Sequence, residues 1–272
     1  MNERADREWR LIREEARPGP MQMALEEVAA ETAASGGPRT VRVYRWEPST
    51  LSLGYHQDPS TVDWEYCDRE GIGVTRRPTG GGGIYHGVDG DISYSIVAPA
   101  AELPGNLIDS YELLCEPIFS AFERMNIDAT FADGEWPAIH QPACYLRAIN
   151  PAHDIVADGK ISGNAQYRQR DAVIQHGSLS YARTPERHLS VFATDEISAA
   201  QFSERVTSIQ EQSGIDREGA VRAVESALRE WAGAVDGEWT DAELDRAREI
   251  ADRKYGSDAW NRERTDPLSG RS

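Results

Sequence analysis

Four consecutive glycines, Gly80 to Gly83, stand between two strand-like stretches and restrict the fold more than any other feature of the chain. Such a run has no side chains to pack and costs about 0.5–1 kcal/mol per residue relative to alanine. It therefore sits neither in a helix nor in the middle of a packed strand. Ile72-Gly73-Val74-Thr75-Arg76-Arg77 leads into it as a strand; Ile84-Tyr85-His86, a turn at Gly87-Val88-Asp89-Gly90 and the alternating strand Asp91 to Val97 follow. The run is expected at a strand-rich sheet edge or hairpin. It is not a nucleotide phosphate loop, because neither the glycine spacing nor a following Lys-Ser/Thr is present. Bare backbone lets a ligand lie against main-chain N–H groups, and Arg76 and Arg77 add charge and donors beside it.

The surrounding pattern is mixed. The chain is expected to open with a helix, Met21 to Ala30, whose Met21, Leu25 and Val28 share one face, stopped by Gly36-Gly37-Pro38. Val41 to Trp46 and Thr50 to Gly54 read as two adjacent strands around Pro48, and Val62 to Arg69 as a short helix. Apolar positions from Leu107 to Met125 recur at helical spacing, with Pro117 permitting a kink. An irregular loop over Asp133 to Pro142 precedes a hairpin that turns at Asp158-Gly159 and carries Lys160; strands resume from Asp171 to Tyr181. Beyond Thr184 the composition shifts toward charge and helix, with amphipathic helices at Asp216 to Val235 and Thr240 to Tyr255, the latter opened by a Thr240/Glu243 capping box. The expected class is α/β (α+β): a mixed, largely antiparallel central sheet flanked by helices. The expected division is a catalytic unit over 5–212, a C-terminal helical segment over 213–264 packed on or extending it, and a disordered tail over 265–272.

Charge narrows the function. With 46 acidic residues against 29 Lys and Arg, the net charge of -17 repels nucleic acid and anionic membranes. No apolar run approaches the roughly 18 residues of a spanning helix, and Met1 to Arg17 lacks the apolar region of a secretory signal, so a cytoplasmic protein is expected. Acidic excess with few lysines reads as adaptation to a salty, halophilic cytoplasm. Cys67, Cys115 and Cys144 are widely spaced and read as free thiols, with no metal site.

Only two lysines occur, Lys160 and Lys254. A chain that otherwise uses arginine and keeps an ammonium at Lys160 needs a compact point charge there. Lys160 stands in Asp158-Gly159-Lys160-Ile161-Ser162-Gly163-Asn164-Ala165-Gln166, and the glycine run and this segment read as two walls of one anion-binding site.

These segments carry a resemblance. Arg76-Arg77-Pro78-Thr79-Gly80-Gly81-Gly82 with His86, then Gly159 to Gln166, then His176-Gly177-Ser178, is similar to the lipoate–protein ligase and octanoyltransferase family, from about Trp9 to Arg262. The resemblance implies the biotin/lipoate protein ligase-like catalytic fold and transfer of an octanoyl or lipoyl chain to a lysine of a lipoyl domain, in a 2-oxoacid dehydrogenase or the glycine cleavage H protein. It implies an acyl or adenylate site built from Arg76, Arg77, Gly80, Gly81, Gly82, His86, Gly163, Ala165, His176 and Gly177, with Lys160 at the acyl carbonyl. A lysine ammonium there stabilises a developing oxyanion.

The branches of this family differ in how the acyl group is activated. Ligases use ATP and Mg2+ to form an adenylate. A cysteine-dependent transferase branch needs no such cofactor and takes octanoate from acyl carrier protein through a thioester, its cysteine some fifteen residues ahead of the motif lysine. Cys144 stands sixteen residues before Lys160 and is the expected nucleophile of that branch, although Arg147 to Ile155 departs from the Pro and Tyr-Glu-Leu pattern usual there. The family often carries Asp directly after the motif histidine, where Gly87 stands here, and this weighs against the ligase branch. Three readings stand: octanoyl transfer through Cys144, ATP-dependent lipoate–protein ligation, and a lipoate- or biotin-binding module without turnover.

Overall fold

Trp9–Arg17 forms a strand, β1, which precedes the expected first helix. The computed structural model describes residues 8–134, 136–149, 153–169, 171–194 and 196–269. The expected catalytic start at residue 5, the segment Asn150 to Ala152 ahead of the hairpin, Arg170, and positions 270–272 of the tail lie outside them. Charges had hidden β1. Its Trp9, Leu11 and Ile12 are buried, while Arg10 between them is buried only because Glu243 takes it in a bidentate pair at 2.6 and 2.9 Å.

After β1 come α1 (Gly19–Ala34), β2 (Arg39–Trp46), β3 (Thr50–Leu53), α2 (Trp64–Arg69), β4 (Gly73–Arg76), β5 (Ile84–His86) and β6 (Asp91–Pro99). Then follow α3 (Leu107–Arg124), β7 (Thr130–Phe131), β8 (Asp154–Val156), β9 (Lys160–Gln169) and β10 (Ala172–Ser180). The remainder is α4 (Pro185–Ser190), α5 (Ala199–Arg205), α6 (Ile209–Ser213), α7 (Arg217–Ala232), β11 (Val235–Asp236), α8 (Asp241–Ile250), a π-helical turn over Ala251–Tyr255, and α9 (Asp258–Asn261).

Among the described residues the strands form a large sheet in the order β11-β1-β2-β6-β10-β9-β8-β7 and a small one, β4-β3-β5. The large sheet is antiparallel except where β1 runs parallel to β2 and β11. This is the expected mixed, largely antiparallel sheet with helices about it. Two local expectations are corrected. β2 and β3 are not neighbours but lie in different sheets, and β4 and β5 are not a hairpin, since both pair with β3 from opposite sides. The chain must therefore loop over the end of β3, and residues 77 to 83, including the glycine run, are that loop.

Alternation along β2 sends side chains to two cores. Val41 and Val43 face α3 and α7, while Tyr44 and Trp46 face α1, α8 and the π-turn. A third apolar cluster joins the small sheet to α5 and the Cys144 loop. The 213–264 segment packs onto both faces of the large sheet: α7 supplies Val224 and Leu228 to the first core, and Tyr255 and Trp260 enter the second. The tail expected to be disordered is placed as far as Ser269. Asp266 lies 3.2 Å from Lys254 Nζ, and Leu268 packs on the second core. No helix is long and apolar enough to cross a membrane among the described residues.

Candidate active site

Between the sheets lies a cavity of about 460 Å³. Its walls come from the glycine loop, the Cys144 loop, the hairpin of β8 and β9, and the middle of β10. Lys160, Cys144, Arg77, Gly80, Gly81, His86, Gly163, Ala165, His176 and Gly177 all line it. The ammonium hairpin and the bare-backbone loop thus converge on one space, as their residue types imply.

The glycine loop and the cysteine loop are joined edge to edge. Gly83 N–H donates to Pro142 O at 2.7 Å, and Cys144 N–H donates to Gly83 O at 2.8 Å. Any side chain at Gly82 would prevent this, because its Cβ would lie 2.7 Å from Pro142 O and 2.9 Å from Cys144 N. Gly82 accordingly acts by close approach and does not line the cavity. Gly81 has φ +97°, a backbone conformation that glycine alone adopts without strain. The glycines thus hold the cysteine in position as well as leaving backbone bare.

Cys144 begins a single 3-10 turn, Cys144–Leu146, and is half-buried. Lys160, the first residue of β9, is 2% exposed; its Nζ lies 2.8 Å from Asp154 Oδ1 and donates to Cys144 O at 3.2 Å. Burial alone would lower the lysine pKa, but the negative charges of Cys144 and Asp154 outweigh it and the net direction is up. Burial likewise acts to raise the Asp154 pKa, and the Lys160 ammonium overrides it, holding the carboxyl at about 2. Gly163 faces both groups. A Cβ there would sit 3.7 Å from Lys160 Nζ and 3.8 Å from Cys144 Sγ, so the missing side chain leaves a position within van der Waals reach of both thiol and ammonium.

Arg77 organises the opposite wall. Its guanidinium donates to the carbonyls of Ser52, Gly80 and Gly82 and to the hydroxyls of Ser52 and Thr79, at 2.7 to 3.3 Å. Each hydroxyl continues into a buried histidine. Ser52 Oγ is 2.9 Å from His86 Nε2, whose Nδ1 is 3.1 Å from Asp91 Oδ2; Thr79 Oγ1 is 2.8 Å from His176 Nε2, whose Nδ1 is 2.8 Å from Glu26 Oε2. Each histidine thus bridges a hydroxyl held by Arg77 and a buried carboxylate. Although Gly87 follows His86, a carboxylate does reach that ring, from Asp91. Burial acts to raise the pKa of both carboxyls, yet each ends lowered, Glu26 mainly by His176 and Asp91 by His86.

Arg76 lies apart. Expected with Arg77 at the ligand, it is fully buried outside the cavity lining and donates to the carbonyls of Gly54, Tyr55, Gln57, Trp260 and Asn261. Alternation of successive side chains along a strand sends the neighbours Arg76 and Arg77 to opposite sides. Sequence reasoning missed Asp154, Glu26 and Arg147. The acidic residue at the eighth position of α1 could have been noticed, since Glu26 is polar on a helix buried nearly all round. Cys67 and Cys115 are buried, as expected of packing thiols.

The chain matches the family model described as lipoyl protein ligase A/B catalytic domain over residues 18–231. It is 31% identical to octanoyltransferase LipM of Kyrpidia tusciae over 271 residues, covering 93% of this chain and 98% of that protein. Octanoyltransferase LipM of Bacillus subtilis is 27% identical over 281 residues, covering 94% and 98%. Among solved structures, a lipoate-protein ligase A bound with ATP superposes with a TM-score of 0.79 at 23% identity, covering 94% of this chain and 98% of that one. A lipoate protein ligase of T. acidophilum with bound lipoic acid gives 0.75 at 24% identity, covering 94% and 99%, and both establish the shared fold. Extended sequence similarity and common fold together make this chain a member of the lipoyl protein ligase A/B catalytic domain family.

Proposed function

We propose that the chain is an octanoyltransferase that acylates the acceptor lysine of lipoyl domains, taking octanoate from acyl carrier protein through a thioester on Cys144. The observation that carries this reading is the position left bare at Gly163, within van der Waals reach of both the Cys144 thiol and the Lys160 ammonium. The relatives named octanoyltransferase LipM, similar along nearly the whole chain, support it.

In the first half-reaction the Cys144 thiolate attacks the carrier thioester carbonyl. The carbon–sulfur bond to the carrier breaks, and the carrier thiolate takes the proton that Cys144 gave up. In the second, the neutral amine of the acceptor lysine attacks the Cys144 thioester. A carbon–nitrogen bond forms, Cys144 leaves, and the proton lost by nitrogen restores the thiol. Lys160 lies where its ammonium would stabilise the oxyanion of both tetrahedral intermediates, an effect typically worth 10²–10³ in rate for one donor. The octanoyl tail occupies the cavity beyond it.

An ATP-dependent ligase would need its arginine pair for phosphates. Here the Arg76 donors are committed to five carbonyls and the Arg77 donors to three carbonyls and two hydroxyls, which supports the transferase reading. Intact mass measurement after mixing with octanoyl acyl carrier protein tests the reading. One hydroxylamine-labile octanoyl adduct is expected, lost in Cys144→Ser together with transfer to a lipoyl domain. Lipoylation from free lipoate and ATP that survives Cys144→Ser would overturn it.

A further inference from the structure

The amine nearest the proposed thioester is not the acceptor lysine but Lys160 itself. Its Nζ lies 3.2 Å from the carbonyl oxygen of Cys144, and both Nζ and Sγ border the Gly163 gap. Lys160 thus stands beside the residue that would carry the acyl group, the arrangement that favours intramolecular transfer. If it were a free amine, it would take the octanoyl group: its nitrogen would attack the thioester carbonyl, the carbon–sulfur bond would break, and the nitrogen's proton would pass to the Cys144 thiolate. The product is a stable amide that blocks the cavity and removes the ammonium.

We propose that Asp154 is a positioning residue that keeps Lys160 as an ammonium and so suppresses transfer of the acyl group from Cys144 to the enzyme's own lysine. An ammonium has no lone pair and is no nucleophile, yet it retains the donors that stabilise an oxyanion. The proposal rests on the thioester reading above and adds to it the control of a side reaction.

The geometry supports it. Asp154 Oδ1 is 2.8 Å from Nζ at 4% side-chain exposure, in a pair shielded from solvent. The other groups facing Lys160 do not replace this partner. Tyr145 presents its ring face, 5.6 Å from Nζ, and its hydroxyl turns to Ser178; Arg147 on the same turn repels the ammonium. His153, next to Asp154, lines the cavity, and Arg205 beyond the Lys160–Val206 bridge points to Pro137 O. Cys144 contributes negative charge only as a free thiolate, and that charge vanishes when the thioester forms. Among the described residues facing Lys160, Asp154 is then the anion that remains, at the moment when an attack by Lys160 becomes chemically possible.

The composition of the chain gives a clean readout. Its other lysine, Lys254, is buried and lies 2.5 Å from Glu27 Oε1, away from the cavity lining. The full-length wild type, Asp154→Asn and Asp154→Glu are each loaded with octanoyl acyl carrier protein, treated with hydroxylamine and mapped by peptide mass spectrometry. The wild type and Asp154→Glu are expected to lose the adduct completely, and Asp154→Asn to keep a hydroxylamine-stable octanoyl group on Lys160. Loaded wild type held at increasing pH gives a second measurement that needs no variant. The stable fraction on Lys160 should grow about tenfold per pH unit while the ammonium predominates. An Asp154→Asn adduct that remains fully labile, or stable modification in the wild type that is independent of pH, overturns the proposal. Absence of any labile adduct on wild-type Cys144 would instead overturn the thioester reading, and this proposal with it.

Discussion

Gly163→Ala separates catalysis from folding in this chain. The Cβ it introduces would meet Lys160 Cε at 3.6 Å, Lys160 Nζ at 3.7 Å and Cys144 Sγ at 3.8 Å, all ordinary van der Waals separations. The fold has no reason to resist it. Replacing glycine by alanine inside strand β9 should add about 0.5–1 kcal/mol of stability, which in a chain of this size raises Tm by up to roughly 4 °C. The methyl group nevertheless fills the position beside thiol and ammonium that the proposed mechanism gives to the acyl carbonyl. Loss of one aligned oxyanion donor costs about 10²–10³ in rate, or roughly 2.7–4 kcal/mol. Octanoyl transfer to a lipoyl domain, followed by mass spectrometry beside a thermal melt, should show a Tm equal to or above wild type with activity reduced by at least two orders of magnitude. Gly177→Ala is the contrasting case, because its Cβ would lie 2.4 Å from both Asn164 Oδ1 and Tyr94 Cε1, and it should destabilise the fold itself. Full activity in Gly163→Ala would refute the placement of the reacting carbonyl.

Arg76→Met should behave as a packing defect: five carbonyls lose a buried cationic donor, and urea unfolding should show a loss of more than about 3 kcal/mol, whereas a loss below about 1 kcal/mol would refute the assignment. Asp154 has its folded-state pKa depressed from 3.8 to about 2, so its contribution, on the order of 2 kcal/mol, is present above the unfolded value and is lost as pH falls through about 2. The stability difference between wild type and Asp154→Asn should therefore be full at about pH 5 and shrink toward zero near pH 2, by acid titration of the two unfolding midpoints. Iodoacetamide at about pH 8 should label Cys144 alone in the folded protein, because burial pushes the Cys67 and Cys115 thiols up to about 12; equal labelling of either one would contradict their burial.

Legibility in the sequence followed the range over which each signal acts. Helices α3, α7 and α8 were readable from apolar periodicity and capping boxes, because caps and faces are local properties. The two site walls were readable because a glycine run is costly and one of only two lysines is unusual where it serves no purpose. Pairing was not. That β2 and β3 part into different sheets depends on how the chain turns after Trp46, and β1 was masked by charges neutralised from more than 200 residues away, as Arg10 is by Glu243. The opposite fates of Arg76 and Arg77 follow from strand alternation once β4 is known to end between them. Asp154 and Glu26 escaped notice because a carboxylate shows a role only when its partner is in view, and both partners are distant in sequence or across a hairpin.

The clasp between Arg76 and the end of the chain has a temporal meaning. Arg76 donates to Asn261 O, and Trp260 Nε1 donates back to Arg76 O across 184 positions of sequence. The strand that launches the glycine loop cannot settle against its final neighbours until α9 has emerged from the ribosome. Release of α9 in the mature enzyme would loosen the pocket from a point far outside it.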